Sequence, residues 1–195
     1  MPLLLASASP RRRQLLRRAG VRFRVWNPGE DPPLPHLGSW QAATLSALVK
    51  ACRGAAAFPG YLSLGADTVV VLGGRTLGKP RDAAEAREML AALSGRAHEV
   101  YTAFGLAASF PSPRRKIAVF WLEVVRSEVY FRRLSATEIA EYVATGAPLD
   151  KAGAYGIQDP SHKLVERVRG SYYNVVGLPL RQVLRALRTV ESRCP

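Results

Sequence analysis

Ser7-Ala8-Ser9-Pro10-Arg11-Arg12 brings two hydroxyls and two guanidinium groups to a point where a strand-like run gives way to a helix start. Unpaired backbone N–H groups and the helix dipole favour an anion there, so the chemistry suggested is phosphate binding. The plainer alternative is a capped helix with solvated arginines. No GxxxxGKS or GxxxxGKT string occurs, so a Walker-type loop is excluded. Asp67, in Gly65-Ala66-Asp67-Thr68, interrupts an apolar β-rich run where an uncompensated carboxylate would be costly to bury. A metal ion, a lysine or a water to be activated would compensate it, and a bulge or turn at a sheet corner is the structural alternative. Lys79, in Gly78-Lys79-Pro80, lies across the Gly73-Gly74 turn, so a hairpin could return it beside Asp67. The string from Asp150 to Gln158 combines a charged pair, small residues that permit close backbone approach, an aromatic ring and a terminal amide. It suits a ligand, although a surface ion pair with glycine turns would read the same way. His36, His98 and His162 stand apart at no metal-ligand spacing and read as structural, and Cys52 is expected to pack on its own helix.

The composition restricts what these groups serve. The 195 residues are 48% apolar and 22% charged, an ordinary globular balance with one expected domain. Two cysteines supply neither a disulfide framework nor a zinc site, so a reducing compartment is expected. MPLLLAS lacks a basic leader and no run reaches the roughly 18 apolar residues of a membrane helix, so the expectation is a cytoplasmic protein without a membrane partner. The net charge of +13 admits nucleic acid, an anionic surface or a polyanionic small substrate. No helix-turn-helix, RNP or zinc-finger pattern supports stable nucleic-acid binding. Only five of the 28 cations are lysines, so a lysine marks a place where a compact point charge is wanted.

The elements that position these groups alternate. A buried strand is expected over 3–7, then a helix from Pro10 to about Ala19, closed by Gly20. VRFRVW reads as a strand, residues 27–38 as an irregular loop, and Ser39 as the cap of a helix running to Ala57. LSLGADTVVVL is β-rich. Asp82 with Glu85 and Ser135 with Glu138 have capping-box spacing. Strands are expected at 97–108, 116–125 and 127–133, with FPSPRR as a turn, then a short strand at KLVERV and an amphipathic helix from Pro179. The fold class is α/β around a mixed sheet.

Taken in order, SASPRR, GADT, GKP, LSGRAHEVYT, DKAGAYGIQ and NVVGLP resemble the Maf family of nucleoside triphosphate pyrophosphatases over nearly the whole chain. The resemblance implies an elongated mixed sheet with flanking helices, two lobes around a cleft as in inosine triphosphate pyrophosphatases, a homodimer, and a divalent cation, magnesium or manganese. It implies cleavage of a nucleoside triphosphate to monophosphate and pyrophosphate. Arg12, Lys50, Lys79 and Lys151 would carry the triphosphate, with Ser7 and Ser9 donating near the helix start. Asp67 corresponds to the family's carboxylate, either activating water or positioning it through the metal. Gln158, with Arg11 and Thr68, resembles the branch acting on dTTP and UTP, and a glutamine amide can both accept from uracil N3–H and donate to O4. The shortened loop NPGEDPP offers Glu30, preferred over Asp31, as a second metal-side carboxylate. The sequence departs from the family pattern at Asp159-Pro160-Ser161-His162 and in the lack of acidic residues between Gln41 and Lys50.

Overall fold

The computed structural model describes every residue except 31–36, 111–115, 160–161 and 194–195, so Asp31, His36, most of the FPSPRR turn and Cys194 lie outside the described residues. In chain order the elements are β1 (Leu3–Ala6), α1 (Pro10–Arg18), β2 (Phe23–Trp26), α2 (Ser39–Ala57), β3 (Leu62–Leu72), β4 (Arg75–Leu77), α3 (Ala83–Leu93), β5 (Ala97–Ser109), β6 (Ile117–Phe131) and α4 (Ala136–Ala144). Two 3-10 turns (Ala147–Asp150, Ala152–Ala154), β7 (Val165–Arg169), α5 (Tyr172–Val176) and α6 (Leu180–Arg193) follow. The seven strands form one mixed sheet in the order β2-β1-β3-β5-β6-β7, with β4 paired to β3. β1 runs parallel to both β2 and β3, whereas β4 and β7 are antiparallel to their neighbours. Among the described residues, no helix is long and apolar enough to cross a membrane.

The chain divides into two compact units, one of Met1–Asp67, Thr102–Val125 and Gly177–Pro195, the other of Thr68–Tyr101 and Arg126–Val176. In the first, β1 is buried at every residue, as a central parallel strand requires. Helix α2 lies on the face to which Leu4 and Ala6 point, presenting Ala43, Ala47, Ala51, Gly54 and Ala55. A methyl at Gly65 would stand 2.3 Å from the Ala47 carbonyl oxygen and 2.4 Å from the Ala51 nitrogen, so only glycine permits this approach of helix to strand. Cys52 packs beside Ala51, Ala55 and Ala107, and burial pushes its thiol pKa up.

In the second unit, α3, α4 and the 3-10 turns close over a core that includes Leu90, Val100, Phe131, Tyr142 and Tyr155. Gly73 and Gly74, at φ +56 and +82, make the tight hairpin that joins β3 to β4. Ser135 and Glu138 form a complete capping box. Asp82 also caps its helix, but the Glu85 carboxylate turns to the backbone and guanidinium of Arg81 instead. Two expectations need correcting, and one helix has no counterpart among them. Ser39 sits inside the first turn of α2 behind Gly38 and makes no cap. The strands expected at 116–125 and 127–133 are one strand, because nothing between them breaks the extended pattern. Helix α5 had no periodic signal; Asn174 holds it by donating from Nδ2 to the Val100 carbonyl and to Ser127 Oγ, each at 3.0 Å.

His98 is 2% exposed, with Nε2 2.8 Å from the Tyr155 hydroxyl and the rings of Phe131 and Tyr155 edge-on to it. Burial disfavours the imidazolium and pushes the pKa down to about 4. Between its ordinary value of 6.5 and about 4, the unfolded chain therefore holds the extra proton. Stability from this group is complete above pH 6.5 and is lost as pH falls through that window, by at most about 1.4 kcal/mol per pH unit. Thermal denaturation of wild type and His98→Phe from pH 7 to 4 should show a shallower acid decline in the variant; parallel declines would remove His98 from the account.

Candidate active site

The first unit builds a tight turn into a helix start at the carboxyl end of β1. Ser9 is the N-cap of α1 and accepts from the Arg12 backbone, Pro10 occupies the first helical position, and no acidic residue sits in the first turn. The positive end of the helix is therefore not neutralised from within it. Arg12 is buried: its Nε donates to the Gly177 carbonyl at 2.8 Å and its Nη1 to Ser7 Oγ at 3.1 Å. The Ser9 amide also donates to Ser7 Oγ, at 3.2 Å. Ser7 is thus the acceptor that locks the turn and the arginine together, and Arg11, half-buried, follows on the same turn of helix.

Parallel pairing of Ala6 with Gly65 sets the carboxyl end of β1 beside β3, which itself runs on to Leu72; the carboxyl end of a parallel strand is the usual place for a ligand in such sheets. Asp67 lies two residues beyond Gly65. Its Oδ1 accepts from Lys50 Nζ at 2.9 Å, with side chains 10% and 24% exposed for Lys50 and Asp67. Among the described residues no other group bonds the Asp67 carboxylate, which leaves Oδ2 for water or a metal ion. Of the options open in the sequence, a lysine neutralises the carboxylate, and β3 runs unbroken through it. One helical turn beyond Lys50, Arg53 donates to the carbonyls of Pro28 and Glu30 at 3.3 and 2.8 Å, tying the loop that bears Glu30 to α2. Glu30 itself is exposed.

Among the described residues no three His, Cys, Asp or Glu side chains form a cage for a metal. One or two carboxylates with substrate phosphates and water are the donor set that magnesium and manganese accept, and Asp67 fits that chemistry.

The second unit carries Thr68, Lys79, Lys151 and Gln158. The Gly153 amide donates to the Gly78 carbonyl at 2.9 Å, and its α-carbon, at φ +70, rests on Val70, so the small-residue string docks onto the GKP segment. Ala154 follows at φ +59, the one left-handed non-glycine residue among those described. The hairpin register Val70 to Leu77, carried two residues on, sets the exposed Lys79 at the level of Thr68. Lys151 is paired with Asp150 and donates to the Ala147 carbonyl, its stem crossing Gly156 where a methyl would stand 2.8 Å from Cε. The Gly156 amide donates to the Tyr142 hydroxyl at 3.0 Å, and half-buried Gln158 follows. The surface ion pair expected as the alternative for Asp150 and Lys151 is present.

The Maf-like protein family matches residues 2–190. The chain belongs to the Maf family. Relatives named dTTP/UTP pyrophosphatase include that of Moorella thermoacetica, 50% identical over 93% of this chain and 91% of its own. Those of Anaeromyxobacter dehalogenans, 48% identical over 95% of this chain and 92% of its own, and Citrifermentans bemidjiense, 45% identical over 96% and 95%, carry the same name. The residues behind the Maf resemblance thus fall into three local constructions, at Ser7–Arg12, Lys50–Asp67 and Gly78–Gln158. Sequence reasoning did not find Gly65, Arg53, Tyr142 or the Gly177 carbonyl, whose roles depend on long-range packing; Gly65 and Gly177 lay inside motifs without a reason attached. A cavity of about 800 Å³ at the amino ends of β1, β2 and β3, lined among others by Leu3, Phe23, Leu62, Leu187, Arg22 and Arg188, holds none of the candidate residues.

Asp67→Asn removes the charge while nearly preserving shape. It should lower kcat about 10²–10⁴-fold with circular dichroism unchanged, the span of a lost acid–base group. Turnover near the wild-type value would make the Lys50–Asp67 pair structural.

Proposed function

We propose that the chain hydrolyses UTP and dTTP to the monophosphate and pyrophosphate. The observation that carries this reading is a carboxylate held by a buried lysine on β3, just past the level at which the parallel strand β1 ends, in a family whose relatives bear that activity as their name. Water attacks the α-phosphorus, a P–O bond forms there, and the bond from that phosphorus to the bridging oxygen breaks, so pyrophosphate leaves. Asp67 Oδ2 orients the water and accepts its proton, while Lys50 keeps the carboxylate fixed. Arg12, Lys79 and Lys151 spread positive charge along the triphosphate, where phosphoryl transfer gains most from positioned cations. Ser7 and Ser9 set the helix start toward the phosphates, where the positive end of α1 has no acidic residue in its first turn. Asp67 and Glu30 would hold magnesium or manganese, which when bound neutralises phosphate charge and makes water more acidic. Gln158, with Arg11 and Thr68, reads the pyrimidine edge. We place this chemistry in the cytoplasm, where the substrate is a free nucleotide.

A nucleotide panel with magnesium or manganese tests the reading. UTP and dTTP should give pyrophosphate with a stoichiometric monophosphate, and excess chelator should abolish turnover. Orthophosphate with a diphosphate left behind, or full activity in chelator, would overturn it. In the same panel, Gln158→Glu should lower kcat/KM for UTP and dTTP roughly 10–100-fold more than for GTP, since a carboxylate opposes the O4 acceptor. Equal loss for every base would assign Gln158 to the loop.

A further inference from the structure

Two motifs of the chain, LSGRAHEVYT and DKAGAYGIQ, meet at one hydrogen bond. His98, near the start of β5, and Tyr155, the residue that follows the second 3-10 turn, are 57 positions apart in sequence and 2% and 6% exposed. Among the described residues each side chain is the other's only hydrogen-bond partner, Nε2 to hydroxyl at 2.8 Å, and Nδ1 of the imidazole has none. Phe131 closes the group edge-on to both rings, at 5.1 and 4.8 Å between centroids. Two apolar rings would fill this space without desolvating a histidine; what the buried hydrogen bond adds is a fixed position for the groups it joins.

The backbone on which Tyr155 sits is strained. Gly153 and Ala154 both have left-handed φ, +70 and +59, and for alanine, which carries a Cβ, that conformation persists only where its surroundings impose it. Before Tyr155 the Gly153 amide is tied to the Gly78 carbonyl at 2.9 Å, and after it the Gly156 amide donates to the Tyr142 hydroxyl at 3.0 Å. Lys151 lays its stem over Gly156 so closely that a methyl there would stand 2.8 Å from Cε, and Gln158 follows two residues on. A shift of the backbone at Tyr155 therefore carries both the lysine and the glutamine with it.

We propose that His98 and Tyr155 form a positioning pair for Lys151 and Gln158: their bond ties the left-handed string to the sheet and so holds the lysine and the amide where a pyrimidine nucleoside triphosphate takes them up. The inference rests on the nucleotide reading above and adds to it the residues that set the geometry of the binding string. Both members are too buried to touch substrate and act through the residues they hold. Contacts from Lys151 and Gln158 hold the nucleotide in ground and transition states alike, so the pair acts chiefly on KM. The water-orienting group, Asp67 with Lys50, belongs to the first unit and is untouched by it.

Steady-state kinetics of the full chain with UTP, GTP and magnesium test the proposal in Tyr155→Phe, His98→Phe and the double variant, each checked for folding by circular dichroism. Tyr155→Phe keeps the ring against Phe131 and removes only the hydroxyl. Either single variant should raise KM for UTP about 10-fold with kcat within about 3-fold of wild type, and should narrow the discrimination between UTP and GTP by a similar factor. Because one bond is lost in every case, the double variant should be no worse than the poorer single. A purely structural pair would lower the melting temperature and leave KM and base preference of the folded protein alone. Unchanged KM in a folded single variant, or single effects that multiply in the double variant, would overturn the proposal; should one single variant fail to fold, the other decides. A wild type that leaves UTP intact overturns the proposed function by itself. Amide hydrogen exchange then decides on the pair: the Gly153 and Gly156 amides should exchange about 10-fold faster in Tyr155→Phe, and unchanged protection would show that the bond does not hold the string.

Discussion

A helix can bury a lysine only where a counter-charge waits for it, and here the waiting carboxylate lies on a strand. The approach of α2 to β3 sets that distance. Ala47 and Ala51 flank Lys50 in sequence and face Gly65, two residues before Asp67. Because Gly65 has no Cβ, helix and strand backbones come together, and Lys50 Nζ reaches Asp67 Oδ1 at 2.9 Å while remaining almost fully covered. Breaking such a pair by removing one partner is expensive, since the other charge is left stranded away from water. The geometry is therefore stiff, which is what the water-orienting role proposed for Asp67 needs.

The same helix organises its surroundings. Arg53 fastens the loop of Pro28 and Glu30, and Gly54 seats α2 on Leu4 and Ala6 of β1, the strand that delivers Ser7. The turn between β1 and α1 is then locked by Arg12, whose bonds to Ser7 and to the Gly177 carbonyl join the first strand to the segment before α6. In this construction the chain's preference for arginine has a use, because a planar fork can brace several carbonyl and hydroxyl oxygens. The lysine supplies a single compact charge to one carboxylate.

Local features were legible in the sequence because local chemistry causes them. The Ser9–Pro10 helix start, the Gly73–Gly74 hairpin and the Ser135–Glu138 box each depend on residues within a few positions of one another. Ser39 looked like a cap by type, yet a glycine preceding it took that place. The pairing of Lys50 with Asp67 spans 17 residues and depends on a helix docking against a strand, so spacing could only leave a lysine as one option among three. Tyr142 and Gly177 were illegible for the same reason. A hydroxyl taken up by the Gly156 amide, or a carbonyl taken up by a buried guanidinium, leaves no periodicity in the sequence. The unburied length of β6 was hidden too, since its apolar run reads as core until its neighbours are known.

If the contact of α2 with β3 governs the site, a single methyl should damage it without touching any charged group. Gly65→Ala forces the helix back from the strand, a strain of about 1–3 kcal/mol by analogy with overpacked cores. The direct measurement is kcat for UTP with magnesium in this variant, alongside its circular dichroism. The account requires a fall of about 10²-fold in kcat with the secondary structure retained, the scale expected when a catalytic group is misplaced by about 1 Å. A folded Gly65→Ala protein that turns over UTP at the wild-type rate would contradict it.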